Sequence, residues 1–262
     1  MTAATALSDV GTSVSDTVSV AQRNLLTLLR TPQALVFATV QPMIFVLLFR
    51  YAFGGAIHVP GVNYVDYLMP GVFAQSVAFG AIGTAVGLST DLRSGLLVRF
   101  RTLPMARVAV LGGRTLADLA RNLLVLAVMV GVGFAVGFRS PNGAPGLLGA
   151  LALVVASAYA MSWAFAAIGL RVSDPEAAQA AGVPVVFLLV FTSAAFVPAS
   201  SMPGWLQVFG THQPVDALVN AERALITGGP AAHDVLICLA WTAGILLVSA
   251  LLATRAYARM GR

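Results

Sequence analysis

The densest run of side chains with chemistry to offer is Asp91-Leu92-Arg93-Ser94-Gly95-Leu96-Leu97-Val98-Arg99-Phe100-Arg101-Thr102-Leu103-Pro104-Met105-Ala106-Arg107. It reads as a short helix whose Leu96, Leu97, Phe100 and Leu103 can enter a groove on a partner. Arg93, Arg99 and Arg101 would fix the orientation, since apolar anchors framed by arginine are what interface cores favour. The alternative is a loop whose arginines merely set membrane topology. Gly95 permits either close approach of a partner backbone or an ordinary turn, and Pro104 stops the helix. Downstream, Arg114, Asp118 and Arg121 fall at i, i+4 and i+7, one helix face with an internal ion pair, placed to anchor the base of the apolar helix that follows.

A second set of polar groups is scattered through apolar sequence. Gln41, Gln75, Ser76 and Thr84 would be penalised by lipid, so each must face a neighbour or a cavity, and together they are candidates for lining a path. Tyr159 and Trp163, four apart, are further candidates, although aromatics at helical spacing usually fill cores. Gly80, Gly83 and Gly87 form a stripe suited to close helix pairing. No Asp, Glu, His or Arg lies near the middle of an apolar run, which argues against proton- or ion-coupled transport. Neither a nucleophile–base pair nor clustered metal ligands share one depth, so no catalytic residue and no metal are expected. Cys238, the single cysteine, reads as a small packing residue. All fifteen basic residues are arginine. A P-loop needs its lysine, so ATP and its magnesium are expected on another chain and no cofactor on this one.

The elements that must position these groups follow from hydropathy. Of 262 residues, 58% are hydrophobic and 10% charged, and the mean hydropathy is +0.88. Runs free of charged residues cover 31–49, 67–90, 122–138, 140–170, 177–215 and 235–254. A membrane-crossing helix needs about 20 apolar residues, so the reading is an all-α polytopic membrane protein with spans at 33–53, 67–89, 120–138, 147–169, 179–198 and 235–254. Residues 1–16 make a poor signal peptide and read as a disordered cytoplasmic tail. Residues 17–32 hold an amphipathic elbow helix lying in the headgroup layer, ended by Pro32, and 33–262 form the transmembrane domain. The 39-residue run is too long for one span. It is read as a helix ending near Pro198, then two short helices in an outer segment, 199–229, with Pro203 and Pro214 at first helical positions and Trp205 as an interfacial anchor. In the second, Asp216, Asn220, Arg223 and Thr227 form a polar stripe, as on a helix lying at an interface or dipping into the outer leaflet. With both termini cytoplasmic, twelve arginines fall inside and only Arg50, Arg139 and Arg223 outside. That distribution also argues against a nucleic-acid partner, which the net charge of +5 alone would invite.

Three separated motifs carry a resemblance. The stretch D-L-R-S-G-L-L-V-R-F-R-T-L-P-M-A-R-V-A-V-L-G-G-R, Asp91–Arg114, resembles the coupling-helix loop of ABC type-2 exporter permeases, in the branch around the daunorubicin/doxorubicin-resistance permeases. Gly169-Leu170-Arg171-Val172 with Pro175-Glu176-Ala177-Ala178-Gln179 is the second. Phe196-Val197-Pro198 through Met202-Pro203-Gly204-Trp205 to Gln213-Pro214-Val215 and Ala221-Glu222-Arg223-Ala224-Leu225 is the third. The resemblance implies an elbow helix, six spanning helices and a re-entrant helix pair between spans five and six. It also implies pairing with a second permease subunit, identical or paralogous, each docked on a separate ATPase chain. By carry-over Arg93, Gly95, Arg99, Arg101 and Pro104 belong to the coupling segment 91–107, whose start is less acidic here than in many members. The expected function is export of amphipathic drugs or lipids across a bacterial plasma membrane. The alternatives are a non-transporting membrane scaffold and a lipid-modifying enzyme.

Overall fold

The computed structural model describes residues 17, 21, 22, 24, 32–55, 57, 59, 61–96 and 107–259. Helices α1 (Pro32–Leu47, continued by a π-helical turn Leu48–Phe53), α2 (Tyr64–Arg93), α3 (Arg107–Ala135) and α4 (Gly143–Gly169) come first. They are followed by α5 (Pro175–Phe191), the short α6 (Gly204–Thr211) and α7 (Pro214–Thr227), and finally α8 (Ala232–Arg259). Among the described residues, five segments are long and apolar enough to cross a membrane: Val36–Phe53 in α1, α2, Leu111–Ala135 in α3, α4, and Ala232–Tyr257 in α8. At 17 residues, α5 is shorter. Its start nevertheless meets the end of α2, through Arg93 and Asp174 at 3.3 Å. Its far end meets the start of α2, where the Tyr67 hydroxyl donates to the Ala194 carbonyl at 2.9 Å. Of the amphipathic segment 17–32, residues 17, 21, 22 and 24 are helical; most of the rest, and the tail 1–16, lie outside the described residues.

The helix ends obey local chemistry. Asn63 caps α2 by accepting from Val65 N, and Asp174 caps α5 by accepting from Ala177 N at 3.2 Å, with Pro175 in the first turn. Pro214 opens α7, and Gly228 closes it at φ +81°, a left-handed cap that glycine adopts without strain.

About 45 Å long at 1.5 Å per residue, α2 is the axle of the fold, packed by α1, α3, α4, α5 and α7. The main core gathers around its Leu68, Val72, Phe73, Val77 and Ala81. A second core, at the Arg93 end, joins Leu88, Leu111, Trp163, Leu170 and Tyr257. In α8 little is covered, and Leu236, Leu247 and Val248 are exposed, as lipid-facing or partner-facing side chains are in a membrane protein.

Two spans differ from the sequence reading. The expected span 120–138 is part of a helix running from Arg107 to Ala135, so Arg121 lies near its midpoint rather than at its base. The expected helix to Pro198 stops at Phe191. There α7 takes over the backbone: Asp216 Oδ1 accepts from Ala194 N at 2.7 Å, and the Arg223 guanidinium donates to the carbonyls of Ala194 and Ala195 at 2.6 and 2.9 Å. Backbone groups claimed from outside cannot also serve an α-helix.

Candidate functional site

A polar cleft opens where α1, α2 and α3 meet. Gln41, Gln75, Ser76, Gly80, Arg121 and Asn122 line it together with apolar neighbours, around a cavity of about 120 Å³. Both Gln75 amide atoms and Asn122 Nδ2 are buried with no hydrogen-bond partner among the described residues. Such a group costs about 1–3 kcal/mol, and buried polar groups are normally bonded. Ser76 is satisfied, its hydroxyl donating to Val72 O at 2.7 Å.

Below the cleft a ladder of charges descends to the Arg93 end. Arg121 bonds Asp118 at 3.7 Å and donates to the Gly80 carbonyl. Asp118 also meets Arg114 at 3.4 Å, and Arg114 meets Asp91 at 3.5 Å. The expectation of no ionisable group at mid-span is thereby corrected: paired in this way, charge can be held within an apolar helix. The glycine stripe has a different use from the one expected. A Cβ on Gly80 would strike Asn122, on Gly83 Arg121, and on Gly87 Arg114, so the missing side chains make room for the polar face of α3 rather than for another backbone.

At the opposite end the polar stripe of α7 runs from buried Asp216 through half-buried Asn220 and Arg223 to exposed Thr227, so its inner part faces protein rather than a headgroup layer. Asp216 is 1% exposed and bonds Ala194 N and the Asn220 amide. Arg223 also donates to Tyr67 O at 3.1 Å and lies over the Tyr67 ring at 3.5 Å, a cation–π contact. Burial pushes Asp216 above its ordinary value, opposed by the Ala194 N–H, Arg223 and Asn220. Burial likewise lowers Arg223, against Tyr67, Asp216 and Glu222. Glu222 is fully buried with both carboxyl oxygens unpartnered among the described residues. Desolvation drives it well above the usual carboxyl range, with Arg223 opposing.

The expected path residues therefore divide. Gln41, Gln75 and Ser76 converge on the cleft. Thr84 is buried in α2 outside its lining, with its hydroxyl unpartnered among the described residues. Tyr159 and Trp163 meet edge to face at 6.4 Å against the core at the Arg93 end, as packing residues do. In the coupling segment, Asp91 and Arg93 belong to the last turn of α2, because nothing breaks that helix before Gly95 at φ +73°. Arg93 pairs with Asp174, and Leu96 is half-buried. Leu97, Arg99, Phe100, Arg101 and Pro104 lie outside the described residues. In the outer segment, the Pro198 carbonyl closes the 3₁₀ turn Ala199–Ser201, Pro203 precedes α6, and Trp205 is 75% exposed. Arg121, Asn122 and Glu222 were not expected at any site. The readable signal was the match between Arg114-x₃-Asp118-x₂-Arg121 and the Gly80, Gly83, Gly87 stripe.

A family model described as "ABC-2 type transporter" matches residues 16–226. The chain is 35% identical over 246 residues to the daunorubicin resistance ABC transporter permease protein DrrB1 of Streptomyces coeruleorubidus, covering 94% of this chain and 87% of that protein. It is 31% identical over 215 residues to the "Probable doxorubicin resistance ABC transporter permease protein DrrC" of Mycobacterium tuberculosis, covering 81% and 77%. Its helices, its mid-helix polar cleft and these similarities agree: the chain belongs to the ABC-2 type transporter family, as a membrane permease subunit.

Proposed function

We propose that this permease exports amphipathic drugs or lipids, driven by a separate ATPase subunit that holds ATP and magnesium and pushes on the 91–107 segment. The observation that carries this reading is the charge ladder. It ties the last turn of α2, where the segment begins, to a cleft at mid-helix, through Asp91, Arg114, Asp118 and Arg121. A rigid tilt of that turn therefore moves the cleft wall. Drug-resistance relatives favour a drug-like cargo, and a path of uncharged polar and apolar groups suits amphipathic molecules better than ions or sugars.

The finer architecture belongs to the same proposal. Six crossings include α5, whose two ends meet opposite ends of α2, and α6 with α7 form the re-entrant outer pair. An elbow helix at 17–32 precedes the first crossing. Both termini are cytoplasmic, the membrane is a bacterial plasma membrane, and a second permease, identical or paralogous, covers exposed apolar faces such as those of α1 and α5. The test is coexpression with the ATPase and measurement of vanadate-sensitive export. Simultaneous replacement of Leu97, Phe100 and Arg101 by alanine is expected to abolish export while the protein still inserts; normal export by that variant defeats the coupling role.

A further inference from the structure

Resting on that permease reading, we propose that the cleft between α1, α2 and α3 binds the neutral, acceptor-rich head of an amphipathic molecule, its ketone, ester or ether oxygens, through Gln75, Asn122 and Arg121. Gln75 is 1% exposed and Asn122 4%. The Gln75 amide and the Asn122 NH₂ group, both lining the cleft and without partners among the described residues, mark a place where an outside group completes the bonding.

Donors prevail in the cleft. Each amide brings an NH₂ group, and the Arg121 guanidinium is a fork of N–H donors, one given to Gly80 O, with Asp118 as its ion-pair partner at 3.7 Å. The acceptors are the amide oxygens of Gln75, Asn122 and Gln41 and the Ser76 oxygen, whose own hydrogen is committed to Val72 O; the remaining N–H groups of Arg121 tip the balance toward donors. Charge is balanced within the ladder, since Arg121 and Arg114 face Asp118 and Asp91. The cleft thus has no spare charge of either sign for a carboxylate or an ammonium, and favours a neutral guest. Size limits the guest further: about 120 Å³ takes a polar head, while drug-sized sites run to about 300–1,000 Å³. Ala38, Pro42, Phe79 and Val125 supply an apolar collar, and the exposed Phe37 and Leu124, next in sequence to Ala38 and Val125, suit the remainder of the molecule.

Such oxygens occur both on cargo and on resident lipid, and two probes separate these sources. The permease–ATPase complex in nanodiscs is titrated with daunorubicin, whose quinone presents ketone oxygens, by fluorescence. Retained phosphatidylethanolamine, which presents ester carbonyls, is read by native mass spectrometry. Gln75→Leu and Asn122→Leu are expected to weaken one of the two at least tenfold, while Trp205→Ala leaves both unchanged. Leucine in place of an unbonded amide should not lower Tm, and Gln75→Met, which keeps the length and loses the donors, should weaken binding as Gln75→Leu does. Loss of daunorubicin assigns the cleft to cargo, and loss of phosphatidylethanolamine assigns it to a structural lipid. Equal binding by wild type and variants, or no binding of either probe to wild type, overturns the site. Vanadate-sensitive export is measured on the same complex: its absence in wild type counts against the permease reading alone.

Discussion

Glu222 is the single residue whose surroundings are most at odds with its chemistry. It lies on the face of α7 that carries Val215, Leu218 and Ile226, packed against α4 and α8, with both oxygens unbonded among the described residues. Its carboxyl is raised well above the ordinary 4.5 by burial, and the sign of the consequence follows from linkage. Below the ordinary value, native and unfolded chains both hold the proton. Above it the unfolded chain releases the proton while the native chain keeps it, so the native state binds more protons and stability falls as pH rises through that window. Glu222→Gln is neutral at every pH and is expected to melt at least about 2 °C above wild type near neutral pH, the shift that roughly 1 kcal/mol produces in a chain of this size. The gap should close toward about pH 4, where both states of the wild type are protonated. Melting curves of detergent-solubilised protein across that range decide it: a gap independent of pH would mean that Glu222 stays ionised in the fold.

Between helices, glycine does two distinct jobs, and substitution tells them apart. At Gly71 and Gly169 an added Cβ meets backbone, that of Ala195 and Ala85, which cannot give way. At Gly83 and Gly87 it meets only the ends of Arg121 and Arg114, which can swing aside. Gly71→Ala and Gly169→Ala are therefore expected to destabilise the fold by about 1–3 kcal/mol, the usual cost of overpacking. Gly83→Ala and Gly87→Ala should leave Tm nearer wild type yet reduce export, because the displaced arginines no longer tie α2 to Asp118. Similar melting and similar export for all four would erase the distinction. The same pair of helices shows what was legible beforehand. Charge-free runs located α1, α2, α4 and α8 closely, because desolvation of charge is costly enough to write itself into composition. It misplaced the start of α3, where paired charges extend an apolar helix, and the end of α5, where side chains of α7 take the backbone. Gln41, Gln75 and Ser76 were legible as polar groups needing company. Arg121 and Asn122 complete the cleft, and their one mark is the match between the charged face of α3 and the glycine stripe of α2, which neither helix shows alone.

For the whole molecule, the proposed orientation rests on the asymmetry of charge between its two ends. Arg93, Arg114, Arg171 and Arg255 gather toward the end where α2 and α8 stop, next to the arginine-rich segment that follows α2. At the other end Arg139 donates its backbone N–H to Asp66 at 2.7 Å, and Arg223 is spent on the carbonyls of Tyr67, Ala194 and Ala195. On the proposed orientation, in which cationic loops resist translocation, the Arg93 end faces the cytoplasm and α6, packed near Thr192 and carrying exposed Trp205, looks outward. Cys238 is buried, so its replacement by alanine gives a quiet background for labelling. On that background Trp205→Cys is expected to react with a membrane-impermeant maleimide in intact cells. Ser94→Cys, exposed just beyond α2, should react only after the membrane is permeabilised. The reverse pattern would invert the molecule, and labelling of both positions from outside would mean that α5 fails to cross, leaving the outer helix pair and the coupling segment on one side where a cytoplasmic ATPase could not drive an outward path.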